Sequence, residues 1–200
     1  FLRDGKIETS APRELIEDLD VVPVPDRSYF NPHYFDPIPV PELGDRLYRS
    51  TPIMTARGCP FHCVFCSTSA FWKRVRVHST SYVASEVKYL AEHFGIEHIK
   101  IWDDTVFGKG RLRELKEALA TQGVLGKVKF SCQLTASLVD DELCDLMRDV
   151  GFVAAGFGFE SGSERVLNYL KSGAVDVEQS ERAVEICKRH GIYVMGSLML

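Results

Sequence analysis

No stretch of the 200 residues approaches the length of an apolar membrane span, and no internal repeat or low-complexity tract is visible. A bilayer-crossing helix is therefore not expected. Positive charge is not in excess either: 24 Lys and Arg stand against 28 Asp and Glu, a formal net charge of -4. This balance argues against a general polyanion-binding surface, so nucleic acid is not an expected partner, and it leaves room only for a local basic patch. A secretory leader is missing, and the six cysteines do not form a framework of spaced pairs. Disulfides are accordingly not expected, and the chain reads as reduced and cytoplasmic. A complete dinucleotide fingerprint is also lacking. Gly156-Phe157-Gly158 is half of one, and is better explained as a strand that approaches a ligand closely. Hydrophobic residues, at 45%, suffice for one substantial core.

What the sequence does hold is three cysteines, Cys59, Cys63 and Cys66, in the run Arg57-Gly58-Cys59-Pro60-Phe61-His62-Cys63-Val64-Phe65-Cys66. Thiolates are the soft ligands that iron-sulfur clusters use, and a loop this short offers no fourth. Three thiolates leave one iron of a four-iron cluster without a protein ligand, and that vacancy is where a substrate or cofactor binds. Zinc is the other reading. It wants four closed ligands drawn from pairs separated by a longer loop, and His62 would have to fold back inside the same tight turn.

Seven of the nine prolines fall in residues 1 to about 50, in steps such as Val22-Pro23-Val24-Pro25 and Pro37-Ile38-Pro39-Val40-Pro41. Such spacing forbids helix ladders and favours an extended linker, and its interleaved Tyr29, Phe30, Tyr34 and Phe35 predict that it packs against something. After residue 50 the pattern alternates. Strands are predicted over 53–56, 99–102, 128–134, 153–159 and 192–200; helices over 81–94, around Leu112, Leu115 and Leu119, and over 138–150, 163–170 and 177–190. Strands alternating with helices imply right-handed crossovers and a parallel α/β sheet. Polar groups then gather at strand ends: Asp103 and Asp104 after the second, Gln133 at the third, Glu160 and Ser161 at the fourth, Ser197 in the fifth.

The cysteine run, with an aromatic residue directly before its last cysteine, resembles the radical S-adenosylmethionine (radical SAM) superfamily. Four later segments agree in order: Ile99 to Phe107, Phe130 to Leu134, Gly156 to Ser163, and Gly191 to Leu200. Leu15 to Arg27 is similar to the linker that joins a cobalamin-binding domain to the radical domain in one branch of that superfamily. Because Phe1 is not an initiator methionine and Leu200 stops inside a predicted strand, the chain reads as part of a longer protein. The resemblance implies a partial (β/α)6 TIM-like barrel truncated after the fifth strand, with a linker over 1–50 and a core over 51–200. The fifth strand should then present an unpaired edge.

The cofactors it implies are a [4Fe-4S] cluster on Cys59, Cys63 and Cys66, S-adenosylmethionine, and cobalamin bound by a domain outside this chain. Carried over by position, the S-adenosylmethionine contacts are the backbone beside Phe65, then Asp104, Gln133, Glu160, Ser161 and Ser197, with Lys171 neutralising the methionine carboxylate. Asp104 reads equally as a helix N-terminal cap. The implied chemistry is one-electron cleavage of S-adenosylmethionine to a 5′-deoxyadenosyl radical, leading to cobalamin-dependent methyl transfer or related radical chemistry on a small molecule. A flavodoxin or ferredoxin would supply the electron. A methylthiotransferase acting on transfer RNA or protein shares much of this core, but needs a second three-cysteine set upstream and a nucleic-acid module downstream. A non-catalytic metal-binding scaffold is the remaining alternative. Cys144 and Cys187 are expected in the core, and Cys132 should point away from Gln133. The run Lys73, Arg74, Arg76 and His78 reads either as a solvated loop or as a site for a phosphate or carboxylate.

Overall fold

A computed structural model describes residues 2–105 and 108–199 of the chain. Val106 and Phe107 of the predicted segment 99–107, and Leu200 of the predicted strand 192–200, lie outside the described residues.

Five parallel strands form one sheet: β1 (Ser50–Ile53), β2 (His98–Ile101), β3 (Lys129–Gln133), β4 (Phe152–Glu160) and β5 (Tyr193–Leu198). Each strand pairs only with its neighbours in sequence, in the order β5-β4-β3-β2-β1. This is the sequential order that helix-filled crossovers of one hand produce. The helices are α1 (Thr68–Trp72), α2 (Thr80–Phe94), α3 (Lys109–Thr121), α4 (Asp141–Val150), α5 (Glu164–Lys171) and α6 (Val177–Arg189).

Local chemistry explains the longer helices. Ser79 caps α2 by accepting from the Tyr82 N–H, and Gly95 ends it in the left-handed conformation. Asp140 caps α4 by accepting from the Leu143 N–H at 2.8 Å, and Asp176 with Gln179 forms a reciprocal capping box on α6. Val83, Val87 and Leu90 of α2 and Leu112, Leu115 and Leu119 of α3 face one core with Ile99, Ile101, Phe130, Cys132 and Phe157 of the strands. Strand alternation then turns Lys100, Ser131, Gln133, Gly156 and Gly158 to the opposite face. Cys132 is accordingly buried on the helix side of the sheet, while its neighbour Gln133 is half-exposed on the other. Cys144 and Cys187 are both fully buried in the core.

Two expectations need correction. The first strand runs over Ser50–Ile53, not 53–56, and Ala56–Arg57 pairs separately with Arg76–Val77 in an antiparallel hairpin that brackets the cysteine loop and α1. Pro52 lies inside this first strand, although proline cannot serve a ladder on both sides. As β1 is a sheet edge, the absent N–H costs nothing there. The proline-rich segment is also not simply extended. It folds into four short 3-10 turns, Leu19–Val21, Arg27–Tyr29, Pro32–Phe35 and Pro41–Leu43, three of them capped by the side chains of Asp18, Asp26 and Asn31. Proline at the first position of a turn removes no needed donor. The segment does pack on the core: Leu19, Phe35 and Val40 are buried, and the Phe35 ring lies 4.6 Å from that of Phe94. At the far edge, among the described residues, β5 pairs with β4 alone, and Tyr193, Leu198 and the following Met199 are exposed.

Candidate functional site

The cysteine loop leaves β1 and returns through α1, and both of its ends are tied to the carboxyl end of β2. Asp103 is buried and accepts from the N–H of Thr55 at 2.6 Å, from the N–H of Ala56 at 2.9 Å and from the Thr55 hydroxyl. Asp104 accepts from the Gly58 N–H and from the Thr68 hydroxyl, each at 3.1 Å. Adjacent carboxylates on alternating sides of one strand end therefore hold the entry and exit of the loop. The helix-cap reading of Asp104 falls, because the N-cap of α3 is Gly108. Gly58 must be glycine: its φ is +98°, and a Cβ there would lie 2.6 Å from the Arg74 carbonyl oxygen.

The other side of the loop is strapped to the end of α5. The Val64 N–H donates to the Leu170 carbonyl at 2.9 Å, and the Ser172 hydroxyl donates to the His62 carbonyl at 2.8 Å. These bonds fix the backbone on either side of Cys63. Sequence reading missed Asp103, Thr55, Thr68 and Ser172 as partners of the loop. The signal available was the doubled aspartate directly after an apolar strand, since a buried carboxylate there must find donors.

Cys59 and Cys63 are partly buried and Cys66 is exposed. Burial pushes the Cys59 and Cys63 thiols up, with the neighbouring Cys66 adding to both and Lys171 pulling Cys63 back down. Three thiols within electrostatic reach of one another on a short loop are a donor set that fits a cluster, in which each thiolate takes a separate iron. Loading the loop must displace protons from these thiols.

The polar residues expected at the strand ends come together unevenly. Glu160 ends β4 with φ +59°, a conformation that non-glycine residues seldom hold, beside a register shift between Gly158 and Glu160. Its carboxylate folds back over Gly158 to accept from Lys171 Nζ at 3.3 Å, with the two side chains only 10% and 13% exposed. A Cβ on Gly158 would stand 2.2 Å from that carboxylate oxygen, so a side chain there would have to displace the Glu160 carboxylate. Lys171 Nζ also sits 5.7 Å from the centre of the Phe65 ring. Glu160, Lys171, Phe65 and Cys63 thus form one cluster. Gln133 lies beside it against Gly156, its paired neighbour on β4. The Ser161 hydroxyl accepts from the Ser163 N–H at 3.1 Å and shapes the turn into α5. Ser197 is paired in register with Gly158 and its hydroxyl makes a long contact, 3.4 Å, to the Phe157 carbonyl.

Burial raises Asp103 to about 6, outweighing its hydrogen bonds to Thr55 and Ala56 and the nearby Arg111 cation. The sign follows from proton binding. Between the ordinary value of 3.8 and about 6 the folded chain binds more protons than the unfolded one, so stability falls as pH rises through that window and is flat above it. The Asp103 carboxyl carbon should titrate by NMR with a midpoint near 6. A midpoint at or below the ordinary value would mean that the three donors, not burial, dominate.

Comparison with known proteins agrees with this geometry. The family model of the radical SAM superfamily matches residues 53–200. An uncharacterized methyltransferase of Pyrococcus horikoshii is 30% identical over 100% of this chain and 42% of its own length. The cytidylyl-2-hydroxyethylphosphonate methyltransferase of Streptomyces wedmorensis is 30% identical over 92% of this chain and 34% of its own. The chain thus spans less than half the length of these curated relatives. The structure of the radical S-adenosylmethionine methyltransferase TsrM from Kitasatospora setae, with cobalamin and a [4Fe-4S] cluster bound, shares the fold at a TM-score of 0.65. It is 23% identical and covers 74% of this chain and 28% of that one. A three-cysteine loop held at the carboxyl ends of sequentially ordered parallel strands, matched by the family model from Ile53 onward, makes this chain a member of the radical SAM superfamily.

Proposed function

We propose that the whole protein is a radical SAM methyltransferase that works with cobalamin held outside these residues and acts on a small molecule. The observation that carries this reading is the convergence of the cysteine loop, Phe65, Lys171 and Glu160 at one corner of the sheet. Membership of the superfamily implies a [4Fe-4S] cluster and S-adenosylmethionine as cofactors. When bound, the cluster supplies one electron for cleavage of the sulfonium, giving methionine and a 5′-deoxyadenosyl radical.

In this reading Cys59, Cys63 and Cys66 hold the cluster, and Asp103 and Asp104 position the loop that carries them. Lys171 neutralises the methionine carboxylate, and its present partner Glu160 is released to accept from ribose hydroxyls. Gln133, Ser161 and Ser197 complete the polar rim around the ligand, and the backbone at Phe65 faces the adenine. The sheet, five strands in sequential order, is read as belonging to a (β/α)6 barrel over residues 51–200, preceded by the linker 1–50. A flavodoxin or ferredoxin supplies the electron, and the protein works in the cytoplasm. Among the described residues no helix is long and apolar enough to cross a membrane.

The test is release of 5′-deoxyadenosine by the whole, anaerobically reconstituted protein. Removing the side chain of Glu160 or Gln133 leaves ligand groups unpaired at a cost of roughly 1 to 3 kcal/mol, or about fivefold to a hundredfold in affinity. Glu160→Ala and Gln133→Ala are expected to keep the cluster and bind S-adenosylmethionine more weakly by that factor. Equal affinity would remove both from the site. No release by the unmodified protein, with candidate substrates and cobalamin supplied, would favour the non-catalytic scaffold.

A further inference from the structure

The hairpin that closes the cysteine loop carries a charge without a counter-charge. Arg76 is 6% exposed, and one of its terminal nitrogens donates to the Ile16 carbonyl. Its other two, Nε and Nη2, have no hydrogen-bond partner among the described residues. Burying a guanidinium costs several kcal/mol unless its donors are met and its charge balanced. Here the surroundings make matters worse, because Arg57 and Arg74 both stand close enough to repel it. Among the described residues the ion pair at this group of arginines is that of Arg74 with Glu17, and it lies at the surface.

A cavity of about 340 Å³ opens at this point, walled by the segment 12–16 on one side and by Arg57, Phe71, Trp72, Lys73 and Arg76 on the other. Its lining holds four cations, Arg13, Arg57, Lys73 and Arg76, against one carboxylate, Glu14. The guanidinium carbons of Arg57 and Arg76 lie 5.6 and 5.5 Å from the centre of the Trp72 indole. Fastening residue 16 needs one donor. It does not account for a second and third cation, two unused nitrogens and an aromatic wall.

We propose that this cavity binds the phosphate group of a small organic phosphate, whose flat or apolar part lies against Phe71 and Trp72. Arginine presents paired donors that match phosphate oxygens, and a dianion balances the excess positive charge. The segment 12–16, which has no regular secondary structure, covers the cavity and shifts to admit the ligand. The proposal is independent of the cluster and of S-adenosylmethionine, so its test uses neither.

Trp72 reports directly: Trp102 is the only other tryptophan of these 200 residues, and any tryptophan outside them is likewise replaced by Phe in the protein tested. In Trp102→Phe protein, phenyl phosphate is expected to change the Trp72 emission saturably, and inorganic phosphate to compete for the same site. Sodium chloride at equal ionic strength and benzoate are expected to do neither. Arg76→Met is expected to weaken phenyl phosphate at least tenfold, and Arg76→Lys less. An unchanged affinity in Arg76→Met, or an equal response to benzoate or chloride, would overturn the proposal. Should Arg76→Met lose its far-UV circular dichroism, the exposed pair Arg13→Gln and Lys73→Gln decides. The double variant is expected to bind about threefold or more weakly, and no change in it overturns the assignment.

Discussion

Replacing any one of Cys59, Cys63 and Cys66 with alanine is expected to strip the anaerobically reconstituted whole protein of its brown chromophore, which otherwise holds about four irons and four sulfides per chain. The loop holds no fourth thiol. His62 lends its carbonyl to Ser172, and Val64 lends its N–H to Leu170, so the backbone is not free to bring a replacement ligand inward. Cys132, Cys144 and Cys187 are buried in the core on the helix side of the sheet, away from the loop. Cys144→Ala and Cys187→Ala should therefore keep iron and sulfide at the parent level, with only the stability loss of a small cavity. Iron and sulfide analysis with the visible spectrum checks both halves. Stoichiometric zinc without sulfide in the parent, or a cluster that survives loss of one loop cysteine, would refute the assignment.

The helices and the parallel sheet were legible because each carries its signal locally. The stripe Val83, Val87 and Leu90 between Ser79 and Gly95 states α2 almost completely, and the short apolar strands between helices leave little but a sequential parallel order. The cysteine loop was legible for the same reason, as all three donors lie within a few residues. What escaped was chemistry between segments far apart in sequence. Nothing near Asp103 says that its donors are Thr55 and Ala56, nor near Asp104 that it meets Gly58 and Thr68. Those contacts exist only once β1 and β2 lie side by side. The ion pair of Glu160 with Lys171 was half legible. Both residues stood out as site candidates, but the left-handed turn of Glu160 that brings them together follows from a bulge that no local pattern announces. The basic hairpin was visible as a run of charge. That one of its members, Arg76, turns inward is a product of the pairing with Ala56–Arg57.

The same limit applies to the proline-rich segment, which is tied to the fold by one buried ion pair as well as by Leu19, Phe35 and Val40. Arg27 donates to Glu86 at 2.8 Å with side-chain exposures of 7% and 5%, and its second terminal nitrogen reaches the Pro52 carbonyl at 3.3 Å. Glu86 sits on the inner stripe of α2 between Val83 and Leu90, where a carboxylate would be out of place without its partner. Arg27→Ala is expected to destabilise the chain by about 3 to 5 kcal/mol, because it strands a buried charge rather than merely deleting a contact. Arg27→Met with Glu86→Leu should recover most of that loss, since apolar side chains of similar volume replace a buried ion pair at little or no cost. Urea denaturation of Arg27→Met, Glu86→Leu and the double gives the cycle. If Arg27→Ala falls within about 0.5 kcal/mol of the parent, the pair is solvated and does not hold the segment to the fold. The larger loss would make residues 19 to 43 part of the folding unit, and a chain cut at residue 50 would leave Glu86 in the same uncompensated state as Arg27→Ala does.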